Sequence, residues 1–292
     1  MSDTDLEVVI VSYGAADLLR RCLSTLFAAA PRTAAMLVHV VDNASPDGTA
    51  DMVAREFAQV RLRRLPVNAG FSTANNLVLR EASSRYMLVL NPDTEMRAGT
   101  LDHLLDVMET RPDVGMAGCR LERLDGSFDH AAKRSFPTPG AALAHFTGVG
   151  RTSRSPKLSQ YRATELDERG VGEVDAVNGA FMLVRRSAMA KVGLLDEGYW
   201  LYMEDLDWCA RFWQRGWKVL YDGTVTAVHV KGGTAGTHRA FKQNLHFHRG
   251  MGRFYRRHRA GANTLVDLAV YAAIGAKFVI SATRGHLARR PG

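Results

Sequence analysis

Tyr86-Met87-Leu88-Val89-Leu90-Asn91-Pro92-Asp93-Thr94 decides how this chain is read. Its first five residues are apolar or aromatic without a break, the pattern of a buried strand. Pro92 stops the strand, and Asp93 lies just beyond its end. In an open α/β sheet, ligands bind outside the carboxyl ends of the strands. A carboxylate there, with little positive charge nearby in sequence, suits a hard divalent cation on a diphosphate. A second acidic cluster, Tyr202-Met203-Glu204-Asp205-Leu206-Asp207-Trp208, lies far downstream. Together the two clusters imply metal-dependent group transfer from a nucleotide.

Upstream of this stretch the same pattern recurs. Glu7 to Tyr13 (EVVIVSY) is a β-branched run, read as the first strand. Leu18, Leu19, Cys22, Leu23, Leu26 and Phe27 follow helical spacing, which predicts an amphipathic helix over Ala15 to Ala30. Met36 to Val41 is a second strand ending at Asp42, Pro46-Asp47-Gly48 is a turn, and Thr49 to Phe57 is a second helix. Val60 to Val67 is a third strand, followed by Asn68-Ala69-Gly70-Phe71, and Ser72 to Ser83 is helical. Strand–helix alternation of this kind gives an α/β fold, a Rossmann-like, mostly parallel sheet flanked by helices.

Downstream, Val114 to Leu121 is a strand, and then the pattern breaks. Residues 122–175 are rich in Gly, Pro, Ser and Arg and weakly periodic. A connection that long is expected to be functional, here a substrate-covering region. Val177 to Arg185 is a strand; Glu204 to Arg215 is a helix closed by Gly216. Trp217 to Val230 reads as two short paired strands around Asp222-Gly223. Leu265 to Ala282 is mostly apolar but interrupted by Asp267 and Lys277. That makes it short for a spanning helix and suits a helix lying in a membrane interface or one packed on the protein.

The 292 residues are 46% hydrophobic and 23% charged, ordinary globular proportions. Net charge is +8, and the basic residues cluster. Arg249, Arg253, Arg256, Arg257 and Arg259 fall within one short stretch beside three histidines. Such a patch meets nucleic acid, an anionic membrane or a phosphate-bearing substrate. No nucleic-acid motif accompanies it, so nucleic acid is not expected as a partner. Cys22, Cys119 and Cys209 are odd in number and far apart, and they are expected to be buried thiols in a reducing compartment. The opening MSDTDLEVV has no signal-peptide core.

The strand ends Ser12-Tyr13, Asp42, Asn68-Ala69-Gly70 and Asp93 converge on one sheet edge. Each has a plain structural reading as well. Asp42 serves equally to cap a turn, Gly70 to make a left-handed bend, and Asn75 and Asn76 to face solvent from a helix. Their combination is what marks a nucleotide site. With VVIVSY, VVDNAS, NAGFSTANN, LVLNPDT, NGAFMLVRR, YMEDLDWCAR and AVHVKGG, the sequence resembles the family 2 glycosyltransferases of the GT-A fold, in their rhamnosyltransferase branch. The similarity runs over nearly all of residues 6–233. It implies a glycosyltransferase domain at 1–240 and a basic, apolar C-terminal helical extension at 241–292.

The resemblance also implies roles. Asp42 would contact the nucleotide base, with Ser12 and Tyr13 beside it, and Asn68, Gly70 and Asn75 would lie near the donor. Asn91-Pro92-Asp93 stands where the family has Asp-X-Asp, with Asn replacing the first Asp. Asp93 would therefore hold Mg²⁺ or Mn²⁺, joined by His229, and Asn91 would hold sugar or ribose. Asp205 would be the catalytic base of an inverting transfer. Glu204, Trp200, Tyr202 and Trp208 would meet the acceptor, although aromatics near a helix start are also common core residues. Asp207 is expected to pair with Arg211 four residues on. The implied partners are a nucleotide-sugar donor, dTDP-L-rhamnose or alternatively a UDP-sugar, and a polyprenyl-diphosphate-linked sugar acceptor. The expected location is cytoplasmic, held peripherally on the anionic inner face of the cell membrane. A non-catalytic nucleotide-sugar-binding protein is the rival from another class, and a homo-oligomer stays open.

Overall fold

Every residue of β1 (Leu6–Ser12) is buried, as a strand flanked by neighbours on both edges and helices on both faces must be. β1 pairs in parallel with β2 (Met36–Asp42) on one side and β4 (Tyr86–Leu90) on the other. β3 (Arg61–Arg64) adds to β2 in parallel. The computed structural model describes residues 5–136, 166–230 and 241–287. Among these, β5 (Thr94–Met96), β6 (Val114–Glu122), β10 (Phe181–Arg185) and β11 (Lys218–His229) complete a main sheet of strand order β3-β2-β1-β4-β10-β6-β11-β5, with β8 (Val171–Glu173) also on β11. β10 (Phe181–Arg185) runs antiparallel to β4 and β6 (Val114–Glu122). A small second sheet joins β7 (Lys133–Arg134) to β9 (Ala176–Val177).

Helices α1 (Ala16–Ala28), α2 (Thr49–Glu56), α3 (Phe71–Leu79) and α4 (Thr100–Thr110) follow the strands. α1 buries Leu19, Cys22, Leu23 and Leu26, the spacing of one helical face. No residue of its own caps it; the Ala16 N–H donates to Asp47 Oδ2 at 3.2 Å. Asp47 Oδ1 also accepts the Thr49 N–H, so one turn carboxylate serves the starts of α1 and α2. α4, with the short β5 (Thr94–Met96) before it, and α5 (Arg186–Val192) are elements the sequence reading did not single out. α6 is Glu204–Gln214. Its end is followed by Gly216 at φ +78°, as expected.

Two expectations change. Val177 to Arg185 is not one strand: it breaks at Asn178-Gly179-Ala180, where the backbone turns to the site. Trp217 to Val230 is not a hairpin but one strand, β11 (Lys218–His229). The Asp222 carboxylate accepts the N–H of Thr224 and meets His103 Nε2 at 2.8 Å. The chain therefore bulges and continues instead of reversing. Asp222 pairs with Cys119 and Thr226 with Arg120, so three residues are absorbed on one strand with none on the other.

Within the expected covering region, 122–136 and 166–175 hold β7 and β8, and 137–165 lie outside the described residues. The C-terminal part forms α7 (Phe241–His258) and α8 (Thr264–Leu287). Phe254 of α7 joins the main core, while Tyr255, Val270 and Ile274 form a small cluster between α7 and α8. The reading of the apolar tail as too short to span is corrected. Thr264–Thr283 is long and apolar enough to cross a membrane by length and composition, with 11% of it buried.

Candidate active site

Ser12 and Asp42 are register partners at the ends of β1 and β2. The Asn43 N–H donates to the Ser12 carbonyl at 2.8 Å and fixes the exit of the chain. Asp42 is buried; its Oδ2 accepts the Ser45 N–H at 3.2 Å, while Oδ1 has no protein partner. Ser12 Oγ is likewise buried and unpartnered. Leaving such groups unsatisfied costs about 1–3 kcal/mol each, which marks them for a ligand. Tyr13 stands half exposed next to them.

Asn43, which the sequence reading passed over, clamps the next loop. Its Nδ2 donates to Asn68 Oδ1 at 3.0 Å and to the Gly70 carbonyl at 3.3 Å, and its Oδ1 accepts the Ala69 N–H at 2.8 Å. Asn68 Oδ1 also accepts the Gly70 N–H at 3.0 Å, so Asn68 shapes the loop. Gly70 sits at φ +84°, and a Cβ there would lie 2.6 Å from both the Trp200 indole and its carbonyl. It is thus both the expected bend and a contact surface. Asn75 and Asn76 are fully buried, not surface amides. Asn75 Nδ2 donates to the Phe71 carbonyl, and its Oδ1 has no protein partner. Asn76 binds Leu195 through both amide atoms, tying α3 to the loop before α6.

At the end of β4, the Asn91 N–H donates to the Ala180 carbonyl at 3.0 Å, which lays the 178–180 break alongside Asn91-Pro92-Asp93. β5 pairs Thr94 with His229, so Asp93 faces the end of β11. Asp93 Oδ1 is 3.4 Å from His229 Nε2, and Asp129 Oδ2 is 3.3 Å from His229 Nδ1. All three groups are buried. Burial alone would depress the imidazole, but its hydrogen bonds to Asp129 and Asp93 outweigh that and lift it to about 9. A histidine whose second nitrogen is held by a carboxylate is the usual metal-ligating arrangement. Asp93 and His229 suit a Mg²⁺ or Mn²⁺ ion that takes its other ligands from a diphosphate and water. No third His, Cys, Asp or Glu joins them in a metal cluster among the described residues. Asp129 carried no sequence signal: it lies in the weakly periodic region, 100 residues from His229.

The base candidate is on the other wall. Asp205 is buried at the start of α6. Its Oδ2 accepts Arg134 at 2.6 Å and the Gly179 N–H at 3.0 Å, and its Oδ1 accepts the Leu206 N–H at 2.8 Å. A carboxylate has about four lone-pair sites, so one stays open for a substrate proton. Arg134, also donating to the Val177 carbonyl, is a site residue the sequence did not reveal. Glu204 is buried beside it, with Oε2 unpartnered. Burial and the adjacent Asp205 charge push its carboxyl up to about 8, so it is neutral at pH 7.

Asp207 does pair with Arg211, at 2.8 Å, and is fully buried. His258 of α7 also reaches it, at 2.7 Å. Its carboxyl is held low: burial opposes the charge, but His258 and Arg211 prevail. Trp208 is a correction. It has no exposed surface, and its indole N–H donates to the Gly193 carbonyl, so it is core and cannot stack on a sugar. Trp200 and Tyr202 remain partly exposed. Tyr202 and Met203 both have left-handed backbones, φ +72° and +75°, an uncommon and strained pair for non-glycine residues. α7 holds them: a Cβ on Gly250 would lie 3.0 Å from the Tyr202 carbonyl, Phe247 meets Tyr202 edge-on, and His246 stacks on Trp200 at 4.4 Å. All three cysteines are buried free thiols; burial pushes Cys119 and Cys209 up to about 12.

Comparison with known proteins shows the family and the fold. The sequence model described as "Glycosyl transferase family 2" matches residues 7–193. The chain is 32% identical over 244 residues to the N-acetylglucosaminyl-diphospho-decaprenol L-rhamnosyltransferase of Mycobacterium tuberculosis, covering 79% of this chain and 78% of that one. It is 30% identical over 168 residues to the rhamnosyltransferase WbbL of Escherichia coli, covering 55% and 60%. Among solved structures, the mannosyltransferase PcManGT of Pyrobaculum calidifontis, in complex with GDP-Man and Mn²⁺, superposes with a TM-score of 0.60 at 17% identity. That match covers 99% of this chain and 74% of the other.

Proposed function

This chain belongs to glycosyltransferase family 2, and on that premise we propose that it transfers L-rhamnose, with inversion, from dTDP-L-rhamnose to N-acetylglucosamine carried on a polyprenyl diphosphate. The observation that carries the donor and acceptor is the 32% identity, over 79% of the chain, to an enzyme named for that reaction. The geometry is consistent with it. Unpartnered Asp42 Oδ1 and Ser12 Oγ bind the nucleoside, and the Asn43-clamped loop around Gly70 admits the donor beside Asn75 and Asn91. Asp93 and His229 hold Mg²⁺ or Mn²⁺, oriented by Asp129. The ion, when bound, neutralises charge on the departing diphosphate.

Asp205 acts from the opposite wall. As the acceptor hydroxyl oxygen bonds to the anomeric carbon, the bond from that carbon to the diphosphate oxygen breaks, and the hydroxyl proton passes to the Asp205 carboxylate. dTDP leaves with the bonding pair. Arg134, Gly179 and the start of α6 hold the Asp205 carboxylate in place. Neutral Glu204, beside it, adds no competing negative charge at pH 7.

α8 is proposed to lie on the membrane, not across it. Its polar links to α7 run from Tyr255–Asp267 at one end to Asn244–Ser281 at the other. Spanning with these intact would carry the arginines of α7 into hydrocarbon, at roughly 2.5–3.5 kcal/mol each or more. The outward side offers Leu265, Leu268, Val279 and Ile280, which favours a position at the cytoplasmic interface.

The test is transfer of labelled rhamnose from dTDP-rhamnose to GlcNAc-diphospho-polyprenol, with Mg²⁺ or Mn²⁺ and with EDTA. Metal-dependent labelled lipid is expected. Product only from a UDP-hexose or UDP-galactofuranose would replace the donor assignment.

A further inference from the structure

Beside the candidate active site, a groove of about 640 Å³ runs between the 198–200 loop and α7, reaching α8. Trp200, Arg249, Gly252, Arg253, Arg256 and Tyr271 line it. Trp200 forms the wall shared with the donor loop through Gly70. Tyr271 is at the other end, on the apolar helix.

Three residues of the groove, Arg249, Arg256 and Gly252, have no use within the fold. Arg249, Arg253 and Arg256 share one helix face, and like charges so spaced destabilise a helix. Arg253 is held by both oxygens of Asp196, aided by Gly198, where any Cβ would meet its guanidinium. Arg249 and Arg256 are exposed and pair with no carboxylate among the described residues. Gly252 sits inside α7, where glycine is less favourable than alanine. Unlike Gly250, it has nothing within 4 Å of a Cβ, so no packing requires it. What glycine preserves there is the open floor of the groove. The potential is positive: burial, then the charges of Lys242 and Arg249, depress His246.

We infer that this groove seats the diphosphate of the lipid-linked acceptor, between Arg249 and Arg256, with the isoprenoid leaving past Tyr271 along α8. The inference rests on the acceptor class proposed above. Arg249 and Arg256 are two helical turns apart, about 10 Å along the axis. Their forked guanidinium groups therefore approach one diphosphate from two sides. The sugar end then points to Trp200 and, past the braced Tyr202-Met203 turn, to Asp205. The exposed apolar side of α8 takes the chain.

Binding of farnesyl diphosphate to the full chain, measured by calorimetry without donor, tests the seat. Wild type is expected to bind it at least tenfold more tightly than farnesol or inorganic pyrophosphate. R249A/R256A and Gly252→Leu should each lose at least tenfold, while the thermal midpoint of Gly252→Leu is unchanged or raised. Vesicles of phosphatidylglycerol and phosphatidylcholine separate a lipid headgroup from the diphosphate: Gly252→Leu should bind them as wild type does. Equal farnesyl diphosphate binding by all three proteins overturns the seat, as does a loss by Gly252→Leu that is matched on vesicles. In turnover, the variants should raise the acceptor KM at least tenfold and leave the donor KM within twofold. Rhamnosyl transfer with an unchanged acceptor KM defeats the seat and leaves the function. Groove-dependent binding with no rhamnosyl transfer defeats the donor assignment and leaves the seat.

Discussion

The two walls of the cleft are built differently. On the proposed donor wall, Ser12, Asp42, Asn91 and Asp93 sit at or just beyond the ends of strands in the central sheet, and their positions follow from strand register. On the proposed acceptor wall, Asp205 depends on Arg134, 71 residues earlier, and Gly179, 26 earlier. The strained turn before it leans on α7, from much later in the chain. A strand end positions a side chain by local sequence, whereas Asp205, the proposed base, is positioned by partners that only tertiary structure brings near. The first wall should tolerate change in the second.

The strongest test of that separation is Asp205→Asn. Turnover should fall on the order of a thousandfold, with dTDP binding kept within twofold by calorimetry; a parallel loss of nucleotide binding would join the two walls. Asp129→Asn probes the donor side alone. Mn²⁺ affinity should weaken about 10–100-fold, read by metal titration, without change in farnesyl diphosphate binding. His258→Leu unpins α7 from the fully buried Asp207. It should cost about 2 kcal/mol in denaturant unfolding and lower kcat more than it raises the donor KM. An effect on the donor KM alone would reverse the assignment of α7 to the acceptor wall.

Glu204→Gln gives a smaller effect with a defined pH sign. The folded carboxyl, pushed up to about 8, holds its proton where the unfolded one, near 4.5, has lost it. Wild-type stability therefore falls as pH rises between those values. The variant lacks this slope, so its melting temperature should exceed wild type by the widest margin above pH 8; matching curves from pH 6 to 9 would remove Glu204 as a buried neutral acid. The smallest change is expected from Leu268→Gln with Val279→Gln. Unfolding should shift by less than about 0.5 kcal/mol, while recovery on anionic vesicles drops.

The same contrast explains what the sequence disclosed. β4 was legible because unbroken burial leaves an unbroken apolar run, β1 and β2 because only Glu7 and His39 interrupt theirs, and Asp42 and Asp93 were legible because each follows one. Asp129 and Arg134 were not, since nothing beside them in sequence differs from a polar loop. Trp208 misled because an aromatic next to an acidic pair reads alike whether it faces a sugar or the core. Asp222-Gly223 misled because it has turn chemistry, but the Asp222 carboxylate, turned onto Thr224 and His103, lets the strand resume.

That bulge makes parity a guarded quantity. Side chains on a strand alternate faces, so an odd number of extra residues turns over everything downstream. The three residues between Asp222 and Thr226 are such a number, and they decide which face of β11 His229 occupies when it meets Asp93. A one-residue deletion that the bulge does not absorb brings Val230 into the place of His229, whatever the deleted residue was. Loss of two residues returns His229 to its face but leaves it two strand positions, roughly 6–7 Å, from its place beside Asp93. In this segment any change of length that the bulge does not absorb should therefore separate His229 from Asp93, whichever residue is lost.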